Sequence, residues 1–213
     1  MAKILFVTSR FPFPLDKGDK LRAFNQIKQL SQRHEVHLFS LSEERPTAVA
    51  LAELEQYCTS ISDHYVPRWK RLFRLPLALF DGSPFQVHYF LDKDARSTLV
   101  ELCERNRPDV MHVHLVRMGP YIRTGLAPRI TVDFMDCFSI GAKREATSAH
   151  FAKRILLNIE ASRLARYERR TMDRVDSACI ISPADRSSMP FPGRDDLCLV
   201  ANGVDLGIFH PLE

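Results

Sequence analysis

Six short apolar runs, separated by stretches with helical spacing, constrain this chain more than any other feature of its sequence. The runs cover residues 4–8, 36–41, 110–113, 130–134, 178–182 and 197–200. Runs of this length with no polar alternation read as strands buried on both faces. Between the first two, Ala23, Phe24, Ile27 and Leu30 fall at i, i+1, i+4 and i+7, one face of an amphipathic helix. Ala50, Leu51, Leu54 and Tyr57 repeat that spacing, and Ala95, Leu99, Leu102 and Cys103 do so again before Pro108 stops the helix. A longer helix is predicted from about 151 to 172, with Leu157, Ala161, Leu164, Ala165 and Met172 on one stripe. Strand and helix in alternation define the α/β class. Because crossovers between parallel strands are right-handed, the expected architecture is a Rossmann-like, doubly wound parallel sheet with helices on both faces.

The 213 residues, 45% of them hydrophobic and 26% charged, allow one large domain or two small ones with a core that needs no staples. Five cysteines, at 58, 103, 137, 179 and 198, are scattered and form no C-x-x-C pair, which fits reduced thiols. The first apolar run ends before Ser9, too short for a signal peptide or a membrane span, so a cytoplasmic location is expected. Thirty Lys and Arg against 26 Asp and Glu leave a net charge of +4, which suits an anionic ligand, a membrane surface or nucleic acid and selects none of them.

In an open parallel sheet, ligands bind beyond the carboxyl ends of the strands, where the strand order reverses. The loop after the first run reads Ser9-Arg10-Phe11-Pro12-Phe13-Pro14-Leu15-Asp16-Lys17-Gly18-Asp19-Lys20-Leu21-Arg22. Its single glycine excludes G-x-G-x-x-G, and G-x-x-x-x-G-K-[ST] occurs nowhere, which disfavours NAD enzymes and P-loop NTPases. Gly18 with Asp19 reads in two ways. It caps a helix, or it lets a phosphate approach the free N–H groups of a helix start, with Lys17, Lys20 and Arg22 adding positive charge.

Alternation along 110–114 puts His112 and His114 on the same side, with His114 nearer the carboxyl end and better placed to meet a polar ligand. A metal pair would need a third ligand that the sequence does not identify, so no metal or resident cofactor is expected. After the next strand, Asp133-Phe134-Met135-Asp136-Cys137-Phe138-Ser139 offers Asp136, the more exposed of its two carboxylates, and Ser139 as substrate-binding candidates. Asp133 and Asp136 could act as acid and base, and capping is an equally good account. No G-x-S-x-G elbow occurs.

The stretch 68–84 mixes Arg68, Lys70, Arg71 and Arg74 with Trp69, Leu72, Phe73, Leu77 and Phe80. Two readings stand: an interfacial helix whose cations meet anionic headgroups, or a helix packed on the sheet.

The strand Lys3-Ile4-Leu5-Phe6-Val7-Thr8, the loop P-x-x-x-G-D-K-x-R, the strand ending in His112-Val113-His114, and the tail Asn202-Gly203-Val204-Asp205 with Phe209-His210-Pro211 together resemble the N-terminal half of a family 4 glycosyltransferase of the GT-B fold. The segments 133–139 and 163–169 are similar to bacterial sugar transferases linked to exopolysaccharide and exosortase systems. The resemblance implies an acceptor-side domain over 1–205, the start of an interdomain linker at 206–213, and a nucleotide-sugar donor held mainly by a C-terminal domain that this chain lacks. Leu212-Glu213 reads as a vector-derived tail. His114 matches the histidine that faces the transferred sugar, Gly18 matches the small residue of the first loop, and Asn202 matches the linker motif only. Lys17 stands where relatives commonly carry the first glycine of a Gly-Gly pair. The implied activity is sugar transfer with retained configuration to a glycan or lipid-linked acceptor at the inner face of the membrane, without nucleic acid, and with the chain alone inactive. Two alternatives are a self-standing carbohydrate- or nucleotide-binding module and half of another GT-B enzyme, such as a sugar-nucleotide epimerase.

Overall fold

A computed structural model describes residues 1–191 and 193–203. Seven parallel strands form one sheet in the order β3-β2-β1-β4-β5-β6-β7. They are β1 (Lys3–Thr8), β2 (Glu35–Ser42), β3 (Ser60–Tyr65), β4 (Val110–His114), β5 (Arg129–Met135), β6 (Ser177–Ile180) and β7 (Leu197–Leu199). Six of these are the apolar runs, and the doubly wound α/β architecture is as expected. The strand predicted over 178–182 ends at Ile180 because Ser182 turns to cap the next helix, its side chain accepting from the Asp185 N–H. The seventh strand, β3, has the polar sequence S-I-S-D-H-Y and gives no apolar signal. At the sheet edge, pairing to β2 and the hydrogen bond from Ser40 Oγ to Asp63 Oδ1 (2.7 Å) hold it without a buried apolar face.

The helices are α1 (Gly18–Ser31), α2 (Ala48–Glu55), α3 (Arg68–Arg74), α4 (Ala78–Asp81), α5 (Phe85–Phe90), α6 (Lys93–Asn106), α7 (Phe138–Ser148), α8 (Phe151–Met172) and α9 (Pro183–Ser188), with 3-10 turns at 75–77 and 116–121. The predicted helix faces bury as expected: Ala23, Phe24 and Ile27 in α1, and Ala95, Leu99, Leu102 and Cys103 in α6. Arg107, left-handed at φ 47°, ends α6 just before Pro108. On α8 the stripe also buries Glu160 and Glu168, two carboxylates that a hydrophobic pattern does not anticipate. Each satisfies the start of another helix. Glu160 accepts from the Phe85 and Gln86 N–H groups of α5, and Glu168 from the Ser139 N–H of α7.

The sheet is buried on both faces. Phe6 packs with Ala23, Phe24, Ile27, Leu38 and Leu54 under α1 and α2, while Leu5 and Val7 face Leu99, Met111, Val113 and Val132 on the other side. Register then places a polar strip beside Phe6 on its face of the sheet. Phe6 pairs with His112, His112 with Thr131, and His114 with Asp133. Arg22 and Gln26 of α1 reach down onto this strip, which lies where the strand order reverses between β1 and β4.

Candidate functional site

The crevice beyond the carboxyl ends of β1 and β4 gathers the loop that enters α1, the exit of β4 and the exit of β5. His114 forms part of its floor. It is 2% exposed, its Nε2 has no partner, and its ring stacks 6.2 Å from that of Phe6. Burial pushes the imidazole down to about 4, against the opposing pull of Asp133, so it is neutral at pH 7. His112 lies one pleat deeper, with Nδ1 2.7 Å from Thr131 Oγ1, and burial lowers its pKa as well.

Asp133 anchors the strip. Its Oδ2 accepts from Arg22 Nε (2.7 Å) and Gln26 Nε2 (2.6 Å), and its Oδ1 from the Met135 N–H (2.9 Å). Burial opposes ionisation, yet the bonds and charges, Arg22 foremost, hold this carboxyl below its ordinary value. The rest of the Arg22 fork is also engaged, Nη1 with Asn202 Oδ1 (2.6 Å) and Nη2 with the Val200 carbonyl (3.0 Å). Arg22 was expected to add charge to a phosphate site. Instead its donors are consumed inside the fold, because a buried guanidinium must pair with what surrounds it. Asn202, matched only to the outgoing linker, is part of the same clamp. The residues 204–213 that complete that motif lie outside the described ones.

The loop residues divide. Gly18 opens α1 and is exposed, and a Cβ there would meet only the Met135 methyl at 3.5 Å, an ordinary contact, so internal packing does not demand glycine. Lys20 Nζ bonds back to Asp16 Oδ1 at 2.8 Å, which compensates a charge expected to face a ligand. Asp19 joins two arginines that the sequence reading did not single out. Its Oδ2 accepts from Arg10 Nη1 (2.6 Å) and Arg117 Nη2 (2.5 Å), and Arg117 Nε donates to Ser9 Oγ (2.8 Å). Burial works against the Asp19 charge, but the two guanidinium groups keep its carboxyl below the usual range. Burial pushes Arg117 down to about 10. The available signal was position, since Arg10 and Arg117 lie two and three residues past the ends of β1 and β4.

At the exit of β5, Asp136 is less buried than Asp133, and its Oδ1 is enclosed without a partner. Burial, reinforced by Asp185, raises its pKa against the pull of Arg117. Ser139 does not serve the crevice as expected. Its N–H and Oγ both go to Glu168, at 3.0 and 2.6 Å, because the start of α7 needs an acceptor. The structure therefore brings Gly18, Asp19, His114 and Asp136 together, and diverts Lys20, Arg22 and Ser139. Two non-glycine residues, Leu115 (φ 73°) and Met135 (φ 64°), take left-handed backbone at the exits of β4 and β5, a strain that accumulates at functional sites.

Two concavities lie elsewhere. One of about 290 Å³ is bordered by α6, Pro120 and Arg123, and one of about 790 Å³ by Arg107, Asp109 and Pro128 at the amino ends of β4 and β5. Neither gathers the convergent titratable groups of the crevice, which is therefore the better candidate.

The segment 68–80 combines features of both earlier readings. Its apolar side chains are exposed, Trp69 by 64%, Phe73 by 79% and Phe80 by 87%. Of its four cations, expected to meet headgroups, three are compensated within the chain and the fourth, Arg71, is enclosed. Arg68 pairs with Glu43 and Glu44, Lys70 with Asp92 and Asp94, Arg74 with Asp92, and Arg71 is buried 3.9 Å from Glu43. No helix among the described residues is long and apolar enough to cross a membrane.

No family model matches the chain, and no curated protein does. Solved structures do. Sucrose-phosphate synthase from Thermosynechococcus elongatus aligns with a TM-score of 0.61 at 13% identity, over 99% of this chain and 50% of that one. A UDP-glucosyltransferase from Polygonum tinctorium capable of glucosylating indoxyl, solved in complex with 3,4-dichloroaniline, aligns at 0.55 and 12% identity, over 94% and 52%. Phytolacca americana UGT2, solved with UDP-2-fluoro-glucose and pterostilbene, aligns at 0.51 and 12% identity, over 89% and 50%. The chain thus spans about half the length of these structural neighbours, which are GT-B glycosyltransferases, and shares the Rossmann-like fold of one half of each.

The buried histidines set a pH dependence. An imidazole depressed to about 4 in the fold but ordinary when unfolded favours the unfolded chain as protons bind, so stability is full above about 6.5 and falls toward pH 4. The shift corresponds to about 3 kcal/mol for His114. Denaturant unfolding of the chain at pH 7 and pH 4.5 should show this loss, and His114→Gln should flatten the slope in that window, leaving the share due to His112. An unchanged slope in the variant would place the titrating group elsewhere.

Proposed function

We propose that residues 1–205 form the acceptor-side half of a nucleotide-sugar-dependent glycosyltransferase whose cleft is completed by a second Rossmann-like domain. The observation that carries this reading is the convergence of Gly18, the Asp19–Arg10–Arg117 bridge, His114 and Asp136 at the switch point of the sheet. In sugar transfer, an acceptor hydroxyl attacks the anomeric carbon, the bond to the nucleoside diphosphate breaks, and the hydroxyl proton leaves with a base. The exposed start of α1 at Gly18 offers unpaired N–H groups to the departing phosphate. His114, neutral with Nε2 unpartnered, hydrogen-bonds a hydroxyl of the transferred sugar without competing for the proton. Asp136 accepts a hydrogen bond from the acceptor hydroxyl through its unpartnered Oδ1. Most stabilisation of the leaving diphosphate falls to the second domain, and configuration is retained, as the family 4 resemblance implies. The neighbours' glucosyl transfer from UDP-linked donors supports this class of chemistry.

A lipid-linked acceptor would bring the domain to a membrane through Trp69, Phe73 and Phe80, with the compensated cations contributing little.

Transfer assays test the division of labour. The 213-residue chain alone should turn over no nucleotide sugar, whereas the enzyme with its second domain should. In that enzyme His114→Ala, assayed at a temperature where the variant is folded, should lower kcat about tenfold or more, a larger loss than its destabilisation accounts for. Turnover by the isolated chain, or intact turnover in His114→Ala, would contradict the reading, and saccharide binding with no need of a second domain would favour a binding module instead. For the membrane contact, flotation with neutral vesicles that persists at high salt is expected. Binding only to anionic vesicles at low salt would count against it.

A further inference from the structure

Beside the crevice, toward β2 and β3, three guanidinium groups surround one aromatic ring. Arg117, Arg71 and Arg10 stand 4.7, 5.1 and 5.9 Å from the centre of the Phe90 ring. They come from separate segments, the 3-10 turn past β4, α3 after β3 and the loop past β1, so the fold itself assembles the cluster at the carboxyl ends of the sheet. The surrounding acceptors do not match them. Asp19 Oδ2 is shared by Arg10 and Arg117. Glu43 gives Oε2 to Arg68 and Oε1 to the Tyr89 hydroxyl, leaving Arg71 Nη1 3.9 Å away, beyond hydrogen-bond range. Arg71 is 1% exposed, and Nε, its one bonded nitrogen, donates to the Val66 carbonyl. Its Nη1 and Nη2, and Arg10 Nε, are enclosed with no acceptor at all. Four arginines, 10, 68, 71 and 117, thus face three carboxylates, Asp19, Glu43 and Glu44, a surplus of one positive charge.

We propose that this cluster is an anion subsite that takes a phosphate monoester, with the free Nη1–Nη2 edge of Arg71 and Arg10 Nε as its donors. A monoester is an anion at pH 7 with three acceptor oxygens, which suits the surplus positive charge and answers the three orphaned donors. The flat guanidinium fork of an arginine held on aromatic faces is prepared for such an oxyanion, whereas a lysine in its place would offer only a point charge. Arg117 and Asp19 belong to this subsite and to the crevice alike, so an anion here lies next to Gly18 and His114. The subsite stands on the arginine cluster itself. That its ligand is the phosphorylated end of a sugar acceptor rests on the function proposed above.

Calorimetric titration of the chain with glycerol 3-phosphate, inorganic phosphate and, as a neutral control, glycerol tests the subsite. Both phosphates should bind and glycerol should not. Tighter binding of glycerol 3-phosphate identifies an organic phosphate as the ligand, and equal binding identifies a bare oxyanion site. Arg71→Met, which keeps the apolar stem over Tyr89 and Phe90, and Arg10→Gln, at the more exposed position, should each weaken binding about tenfold or more with unchanged circular dichroism. Glu43→Gln, which removes a competing carboxylate, should tighten it. Absence of phosphate binding in the parent chain, or parent-like affinity in Arg10→Gln and in whichever Arg71 variant folds, overturns the proposal. Because the readout is anion binding to this chain, a negative result removes the subsite and leaves the transfer assays to decide the enzyme reading separately.

Discussion

The ion pair between Arg22 and Asp133 is the constraint on which the crevice depends. Asp133 is wholly buried and Arg22 is 6% exposed, so neither charge has water to fall back on. Their attraction, at 2.7 Å, must offset two desolvation costs, and it does so with help from Gln26, Asn202, the Met135 N–H and the Val200 carbonyl. Removing one partner from such a pair strands a buried charge, at a cost of about 3–5 kcal/mol. The pair joins α1, β5 and the chain beyond β7. Since α1 begins with Gly18 and Asp19, it also sets where the first loop meets the exits of β4 and β5.

The same segment shows how environment assigns different states to like groups. Asp133 and Asp136 are three residues apart, yet Arg22 and its neighbours hold one carboxyl down while burial and Asp185 push the other up. An acid and base dyad, one of the two readings of this spacing, would need both groups free. Asp133 has both oxygens occupied, which leaves Asp136 as the carboxyl of this segment with an unpartnered oxygen. The strained backbone at Leu115 and Met135 is held by the same region, for the Leu115 N–H donates to the Asp133 carbonyl at 2.8 Å.

Periodicity made much of this fold legible. Apolar runs located six strands because burial on both faces leaves no other composition, and the stripe on 151–172 located α8 because one face must pack. Alternation also placed His112 and His114 correctly on one side, as their shared approach to Phe6 shows. What periodicity does not carry is partnership. Nothing local in Arg22 announces a carboxylate 111 positions away, so a residue that looks like a free loop cation is consumed by the core. Ser139 and the cations of α3 are alike in this, their partners Glu168, Glu43 and Asp92 being distant in sequence. The edge strand β3 escaped because its stability comes from backbone pairing, which leaves no apolar signature.

Hydrogen exchange on the Asp133→Asn chain tests most directly whether one buried pair organises the site. If it does, protection should fall in the first turns of α1, at the exit of β4 around 115–117 and in 198–202, while the successive ladders β1–β2 and β2–β3 keep their parental protection. Parental protection throughout the crevice segments, or a uniform loss across the whole sheet, would contradict that role.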